Sequence, residues 1–414
     1  MKSLTKEDVL DYQIGCTTLS TGGGGVAPSL EAVARMVDEV LDEGVKFQLV
    51  DLEEVPDDKY VFSACGTGGG IQSKMKAKWT GFPRNRLQRD QRYPYDQRAR
   101  LKEMIMQADR EWCPLNTWSE IPGPGFRASG AKRLAELIGE EPYSHIQFEV
   151  APGFVRTLCS LARQGKPFID ATNAGRRAAP EIAQNGLNLE SIPCTPAVYT
   201  TSLGDLIVLE KTLCFQRMEE IVEGISTYSG GSVTGLHAVM GSDLKKAVFP
   251  GPVSLTMKVG KAIRGALKSE KAPVDAMLNA LGPLGYKLFE GEVFDYWQDD
   301  EFGFIWGIAK IKGTGEFEGH DMKIWYKNEH HISWLDGKPY VTSPDGINVV
   351  DVETGWGLAN FWSAEWEQGR KVAVVGVKAE DRWETPMGLK IFGPQHFRWD
   401  IEHVPIDKAY KKIE

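Results

Sequence analysis

Leu30, Val33, Ala34, Val37, Val40 and Leu41 recur at steps of three and four along the chain. That spacing places one apolar stripe on a helix. Pro28 and Ser29 open the segment and Gly44 closes it, the residue types that helix ends favour. Upstream, Thr5 with Asp8 three residues on forms a capping-box pattern for a shorter helix. Apolar runs at 45–52 and 60–65 predict strands. Residues 145–151, 154–163 and 166–171 read as strand, helix and strand, the order of a right-handed crossover unit. The first half, 1–205, is therefore expected to be a three-layer α/β domain with a mainly parallel sheet.

The pattern changes in 206–414. Strand-like runs at 287–294, 304–312, 320–326, 346–351 and 372–377 alternate with Gly, Asp and Pro. Nine of the twelve tryptophans fall between Trp297 and Trp399. This predicts a C-terminal β-rich domain, barrel or sandwich, with a few helices, two of them at 216–225 and 254–267.

Composition supports two globular domains. Over 414 residues, 42% are hydrophobic and 25% charged, enough for a sizeable core. No apolar run approaches the ~18 residues a membrane span needs, and the N-terminus lacks an apolar leader. The six cysteines form no C-x-x-C pair, which suits a reducing, cytoplasmic setting and buried small hydrophobes. Net charge is −9, which argues against nucleic-acid coating. One stretch departs from it. Residues 73–110, inside an insertion of about 73–127, hold eleven Lys or Arg against four acids, with aromatics interleaved. The plain reading is a solvated excursion that packs on an acidic neighbour; a basic arm over an anionic ligand, or a nucleic-acid contact, are the alternatives.

Five stretches could carry chemistry. Gly22, Gly23, Gly24 and Gly25 lie between an apolar segment and a helix start, where backbone N–H groups can approach an anion. A second glycine loop, 66–70, contains Gly68 and Gly69. Neither is a G-x-G-x-x-G or a Walker A loop, so no nucleotide cofactor is expected. Asp170, Arg176 and Glu181 follow a predicted strand, and a carboxylate beside a guanidinium fork can orient a polar planar substrate. Asn328, Glu329, His330 and His331 stand together, but adjacent strand residues point to opposite faces, so the two histidines should not share a metal. With no H-E-x-x-H, a divalent metal is left open rather than indicated. Asp345, in Ser343-Pro-Asp-Gly346, either makes a turn or projects into a cleft.

In order, these stretches resemble the S-methyl thiohydantoin desulfurase family. The likeness rests on Ile14-Gly-Cys-Thr-Thr-Leu-Ser-Thr-Gly-Gly-Gly-Gly25, Asp170-Ala with Gly175-Arg176 and Pro180-Glu181, Lys327-Asn-Glu329, Ser343-Pro-Asp345, Val350-Asp-Val-Glu-Thr-Gly355 and Trp383-Glu-Thr-Pro-Met-Gly-Leu389. Three departures stand out. Glu149-Val-Ala-Pro-Gly-Phe154 replaces an E-I-G-G-x-N pattern, Thr172 replaces a second Asp, and the central motif gains a residue before Pro180. The resemblance implies hydrolytic chemistry on a hydantoin-like cyclic imide or amide, in a soluble homo-oligomer. It nominates Cys16, Glu149, Asp170 and Glu329 as catalytic groups. Gly22 to Gly25, Gly68, Gly69, Arg176, Asn328 and Asp345 become substrate contacts in a cleft between the domains. Two other expectations are carried forward: a non-catalytic partner of a cyclic-amide hydrolase, and a nucleic-acid-binding protein acting through the insertion.

Overall fold

A computed structural model describes residues 1–25, 27–68, 125–201, 205–228, 232–301, 304–360 and 363–410. Most of the basic insertion, with Gly69 and Cys113, lies outside the described residues.

The chain starts with β1 (Lys2–Leu4) and α1 (Lys6–Leu19). Thr5 Oγ1 accepts from Asp8 N–H, and the Asp8 carboxylate takes Thr5 N–H, the expected capping box. Ser29 caps α2 (Leu30–Asp42), whose buried face is Val33, Val37 and Val40. Next come β2 (Phe47–Asp51), β3 (Tyr60–Ala64) and β4 (Thr67–Gly68). Then follow α3 (Gly125–Ile138), β5 (Ser144–Ile146), α4 (Val155–Arg163), β6 (Phe168–Thr172) and α5 (Gly186–Leu189). The α/β part continues through β7 (Ala197–Thr201), β8 (Leu206–Leu209), α6 (Phe215–Tyr228), β9 (Ser232–Met240), α7 (Gly241–Ala247) and β10 (Phe249–Pro250). Two helices, α8 (Pro252–Lys268) and α9 (Pro273–Leu281), lead into the C-terminal sheet.

The N-terminal part is α/β as expected, but its pairing is mixed rather than mainly parallel. One sheet runs β1-β2-β6-β10, the other β5-β3-β9-β7-β8 with β4 on β9. Among the described residues, only β2·β6 and β3·β5 are parallel ladders. The predicted strand–helix–strand unit exists as β5–α4–β6, yet its strands join different sheets and meet only at a parallel bridge, Gln147 to Thr172. Antiparallel pairing comes from β1 on β2 and β8 on β7, and from β9 and β10, which return from beyond residue 205 to pair with β3, β7 and β6. Residue 205 itself lies in the β7–β8 turn, where Thr201 N–H bonds Asp205 O at 3.1 Å. The α/β layers therefore run on to Pro250.

The C-terminal part is one antiparallel sheet ordered β15-β14-β13-β12-β11-β17-β16. Its strands are β11 (Gly285–Glu301), β12 (Phe304–Gly313), β13 (Asp321–Lys327), β14 (Glu329–Leu335), β15 (Lys338–Thr342), β16 (Gly346–Asp351) and β17 (Lys371–Val377). It curls into a half-barrel: His330 Nδ1 on β14 lies 2.9 Å from Ile347 O on β16. Two short helices, α10 (Pro386–Phe392) and α11 (Ile406–Ala409), close the chain.

The two parts share a core. Val9, Ile14, Val33 and Val259 pack in one cluster with Val350, Val375 and Val377 of the curled sheet. Helix α1 is buried almost all round, which explains its weak apolar stripe. It crosses α8 at backbone distance, for a Cβ on Gly15 would lie 1.9 Å from Thr256 O and one on Gly260 1.8 Å from Asp11 O. This crossing fixes where α1 ends and where the first glycine loop begins. No described helix is long and apolar enough to cross a membrane.

Candidate functional site

The β13–β14 hairpin has a one-residue tip. Lys327 pairs with Glu329, leaving Asn328 alone in the left-handed region at φ 58°. Asn tolerates that conformation better than most side chains. It is also fastened: Asn328 N–H donates to Ile305 O (2.7 Å), and Ile305 N–H donates to Asn328 Oδ1 (2.8 Å). Asn360 Nδ2 holds its carbonyl at 2.7 Å. The rigid tip carries Lys327 and Glu329 against the N-terminal part. Asn328 thus acts as a fastener in this arrangement.

Glu329 meets the first glycine loop. Its Oε1 accepts from Gly24 N–H at 3.1 Å, and its Oε2 is buried with no hydrogen-bond partner among the described residues. The loop leaves the C-terminal end of α1, with Gly23 N–H on Ser20 O at 2.9 Å. It is sewn to the curled sheet: His330 N–H donates to Thr21 O, and Asn360 N–H to Gly22 O, both at 2.8 Å. The group received by this loop is therefore a carboxyl from the other half of the chain.

Glu149 reaches the same loop from the α/β side. Its segment runs beside 174–177, with Val150 N–H on Arg177 O at 3.2 Å and Ala174 N–H on Phe148 O at 2.8 Å. Its Oε2 accepts from Ala179 N–H at 2.6 Å. Gly24 packs on Ala151, two residues further on. Burial lifts the Glu149 carboxyl to about 8, against the pull of Ala179 N–H and Arg177. Burial and the neighbouring Glu149 hold Glu329 well above the usual carboxylate range. Two carboxyls in one dry place cannot both ionise cheaply, so they titrate as a pair.

A second polar cluster lies on the other side of the tip. Lys327 Nζ pairs with Glu181 Oε1, and His396 Nε2 lies 2.7 Å from Glu181 Oε2. The ammonium also sits 3.8 Å from the Phe304 ring centroid. Glu219 Oε2 accepts from Ala183 N–H at 2.8 Å, and Thr67 Oγ1 donates to Glu223. Although burial opposes it, Glu181 is drawn down to about 2 by His396 and Lys327. Burial raises Glu223 to about 7 and Glu219 well above its usual range. Thr67–Gly68 therefore brings the described end of the second glycine loop to this cluster. One hairpin tip links both loops.

The other candidates stand apart from the carboxyl pair. Asp170 accepts from Ser254 N–H (3.0 Å) and Ser254 Oγ, so it caps α8. Asp345 accepts from Ala379 N–H and Ile406 N–H, both at 2.8 Å, and staples the C-terminal segment to the β15–β16 corner. Arg176 pairs with Glu380 and donates to Lys378 O at 2.7 Å. The guanidinium inside the site is that of Arg177, 3% exposed. Counting back from Pro180–Glu181 instead of forward from Gly175 would have selected it and removed the extra residue from the motif. Gly68 is a strand residue opposite Ser232. Gly25 is open: a Cβ there meets nothing within 4 Å among the described residues.

Cys16 is fully buried in α1, its thiol facing Tyr12 and the Ala151 backbone, and burial pushes its pKa far up. A buried, protonated thiol is a poor nucleophile. Cys16→Ala is expected to keep turnover within about threefold and to cost about 1 kcal/mol of stability, read by kinetics and thermal unfolding. Loss of all turnover would restore the nucleophile.

His330 and His331 face different partners, although a bulge opposite Trp325 and Tyr326 interrupts the regular alternation at His331. His330 Nε2 lies 3.1 Å from Asn360 Oδ1, and His331 Nδ1 lies 2.9 Å from Ser343 Oγ. Among the described residues no three His, Cys, Asp or Glu side chains are grouped to hold a metal.

These groups set a pH dependence for stability. Burial raises Glu149 to about 8 and Glu223 and Asp345 to about 7. The unfolded chain releases those protons near ~4.3. Their stabilising contribution is full below that pH and is lost as pH rises through 7 to 8. Burial holds His145, His330 and His403 down to about 4 and His237 to about 3. Their contribution is present above ~6.5 and lost as pH falls. The trends oppose between ~4.3 and ~6.5, and above ~6.5 only the carboxyls act. The thermal midpoint is expected to fall by several degrees from pH 6.5 to 8.5, and Glu149→Gln should flatten part of that fall. A midpoint that rises over this window contradicts the buried-carboxyl account.

Comparison with known proteins adds two matches. Residues 7–81 match the family described as S-Me-THD-like, N-terminal domain, and residues 214–406 match S-Me-THD-like, C-terminal domain. A crystal structure of a protein from Chromobacterium violaceum is similar at a TM-score of 0.67 and 18% identity, covering 98% of this chain and 100% of that one. That likeness concerns the fold. No curated protein matches the chain.

Proposed function

Since the chain belongs to the S-Me-THD-like family, we propose that it is a hydrolase acting on a hydantoin- or thiohydantoin-like cyclic amide. The observation that supports this reading is that two buried carboxyl-bearing segments from opposite halves of the chain meet at the Gly22–Gly25 loop: Glu329 on Gly24 N–H, and Ala151, two residues after Glu149, against Gly24. An S-methyl thiohydantoin has an electrophilic ring carbon between two nitrogens, bonded to sulfur. Water adds to that carbon as one carboxylate of the pair takes its proton. The C–S bond then breaks, the neutral carboxyl protonates the departing thiolate, and the second water proton passes to the ring nitrogen as the carbonyl forms, so that methanethiol and a hydantoin result. Such a pair works with one ionised and one neutral member, a state reached as pH rises through about 8, where Glu149 ionises. The mutual repulsion felt by Glu329 supports that division.

The test is turnover by the isolated chain of an S-methyl thiohydantoin, a thiohydantoin and a hydantoin, with and without added divalent metal. Methanethiol release or ring opening is followed directly. Turnover by the isolated chain would also dismiss the partner-subunit alternative. If no substrate is converted under any condition, the reaction class is wrong.

A further inference from the structure

Arg177 is buried deeper than any role in solubility would require, and its bonding is unusual. Nε donates to Ala178 O (3.0 Å), Nη1 to Pro344 O (3.1 Å) and Asp345 O (2.8 Å), and Nη2 to His330 O (3.0 Å). All four acceptors are neutral carbonyls. The Phe392 ring covers the guanidinium at 4.6 Å from its centroid. A buried cation needs a counter-charge close by.

Four carboxyls face it from four elements: Glu149 from the segment after β5, Glu329 from β14, Asp345 from the β15–β16 corner and Glu380 after β17. Asp345 is engaged by the amides of Ala379 and Ile406. Glu380 accepts Arg176 N–H at 3.0 Å and lies 3.4 Å from Arg176 Nε. Both Asp345 oxygens are taken, whereas Glu149 and Glu329 each accept one amide and Glu329 Oε2 has no partner among the described residues, so this pair is the counter-charge left for Arg177. The other ionisable neighbours are His330 and His331, both buried, with Lys327 at the hairpin tip and Cys16 beside Glu149.

The same residue fixes the spacing of the pair. Its carbonyl holds Val150 N–H, next to Glu149, and its guanidinium holds His330 O, next to Glu329. Two residues along, Ala179 N–H takes the Glu149 carboxyl itself.

We propose that Arg177 is a positioning residue that holds Glu149 and Glu329 at one spacing and balances the single negative charge they share. This rests on the hydrolase reading for its activity readout. It predicts that the fork of donors and the charge have separable effects, since Lys keeps the charge without the fork and Gln keeps donors without the charge.

The experiment compares the full chain with Arg177→Gln and Arg177→Lys. In Arg177→Gln both limbs of the pH–rate profile should move to higher pH by about one unit, because a nearby cation favours the ionised carboxylate. In Arg177→Lys the limbs should stay in place while kcat falls about tenfold or more from lost alignment. If Arg177→Gln does not fold, the Lys variant still decides, since limbs displaced by a unit there overturn the proposal. Unmoved limbs in a folded Gln variant also overturn it and leave a merely structural arginine. If no cyclic amide is converted, the hydrolase reading fails separately. Carbon-13 titration of labelled glutamate carboxyls, assigned with Glu149→Gln, then tests Arg177 alone. An upward shift in the Gln variant supports the shared charge, and no shift overturns it.

Discussion

Glu329→Gln is expected to lower kcat/KM on an S-methyl thiohydantoin by about 10²–10⁴-fold, the range typical of a lost acid–base group. The substitution keeps the shape of a neutral carboxyl. Its amide oxygen can still accept Gly24 N–H, as Glu329 Oε1 does at 3.1 Å. It loses the proton that the pair must pass on. Glu329 Oε2, which has no hydrogen-bond partner among the described residues, is where that proton would leave. Glu149→Gln should cost a similar factor, and the double variant should lose no more than the worse single one, because the two act as a unit. Stability should move the other way. Removing an ionisable group whose pKa is raised by burial relieves the alkaline loss, so the thermal midpoint above pH 7 should rise. Kinetics and thermal unfolding on the same preparations separate the two effects. Retention of activity within threefold in both single variants would remove the carboxyl pair from the mechanism.

Local features were legible where the chain's own neighbours decide them. The Thr5 and Ser29 caps, the buried face of α2 and the change to β structure follow from spacing and end residues. What depends on distant partners was hidden. Asp170 at a strand end reads as a candidate acid, but Ser254, 84 residues later, takes its carboxylate. The N-terminal sheets are less parallel than the strand order suggests, because β9 and β10 return from beyond residue 205 and β1 and β8 add antiparallel edges. The first glycine loop reads as an anion cradle, but the group on its Gly24 N–H is the Glu329 carboxyl, 305 residues downstream, a distance over which no periodicity carries information. The choice between Arg176 and Arg177 turned on one residue of spacing, and burial resolves it: Arg177 lies inside while Arg176 keeps an exposed edge.

Gly23→Ala gives the sharpest test of that long-range contact. A Cβ at residue 23 would lie 1.6 Å from Glu329 Oε1 and 2.3 Å from its Cδ, so both groups cannot stay where they are. The group that yields is the Glu329 side chain, since both backbones are held. The loop is held by Ser20, His330 and Asn360, and the hairpin tip by the Asn328–Ile305 pair. The expected result is displacement of the Glu329 carboxyl, with turnover down about 10²-fold, as for other misplacements of about 1 Å. Overpacking should add a stability loss of about 1–3 kcal/mol. Gly25→Ala is the control. Its Cβ meets nothing within 4 Å among the described residues, and its φ of 80° leaves only backbone strain, about 1 kcal/mol. It should keep activity within tenfold. Adding Glu329→Ala to Gly23→Ala should return part of the lost stability without returning turnover, because the clash leaves with the side chain while the acid is gone. If Gly23→Ala behaves like Gly25→Ala in both kinetics and unfolding, Glu329 does not sit against the loop, and the carboxyl pair loses its second member.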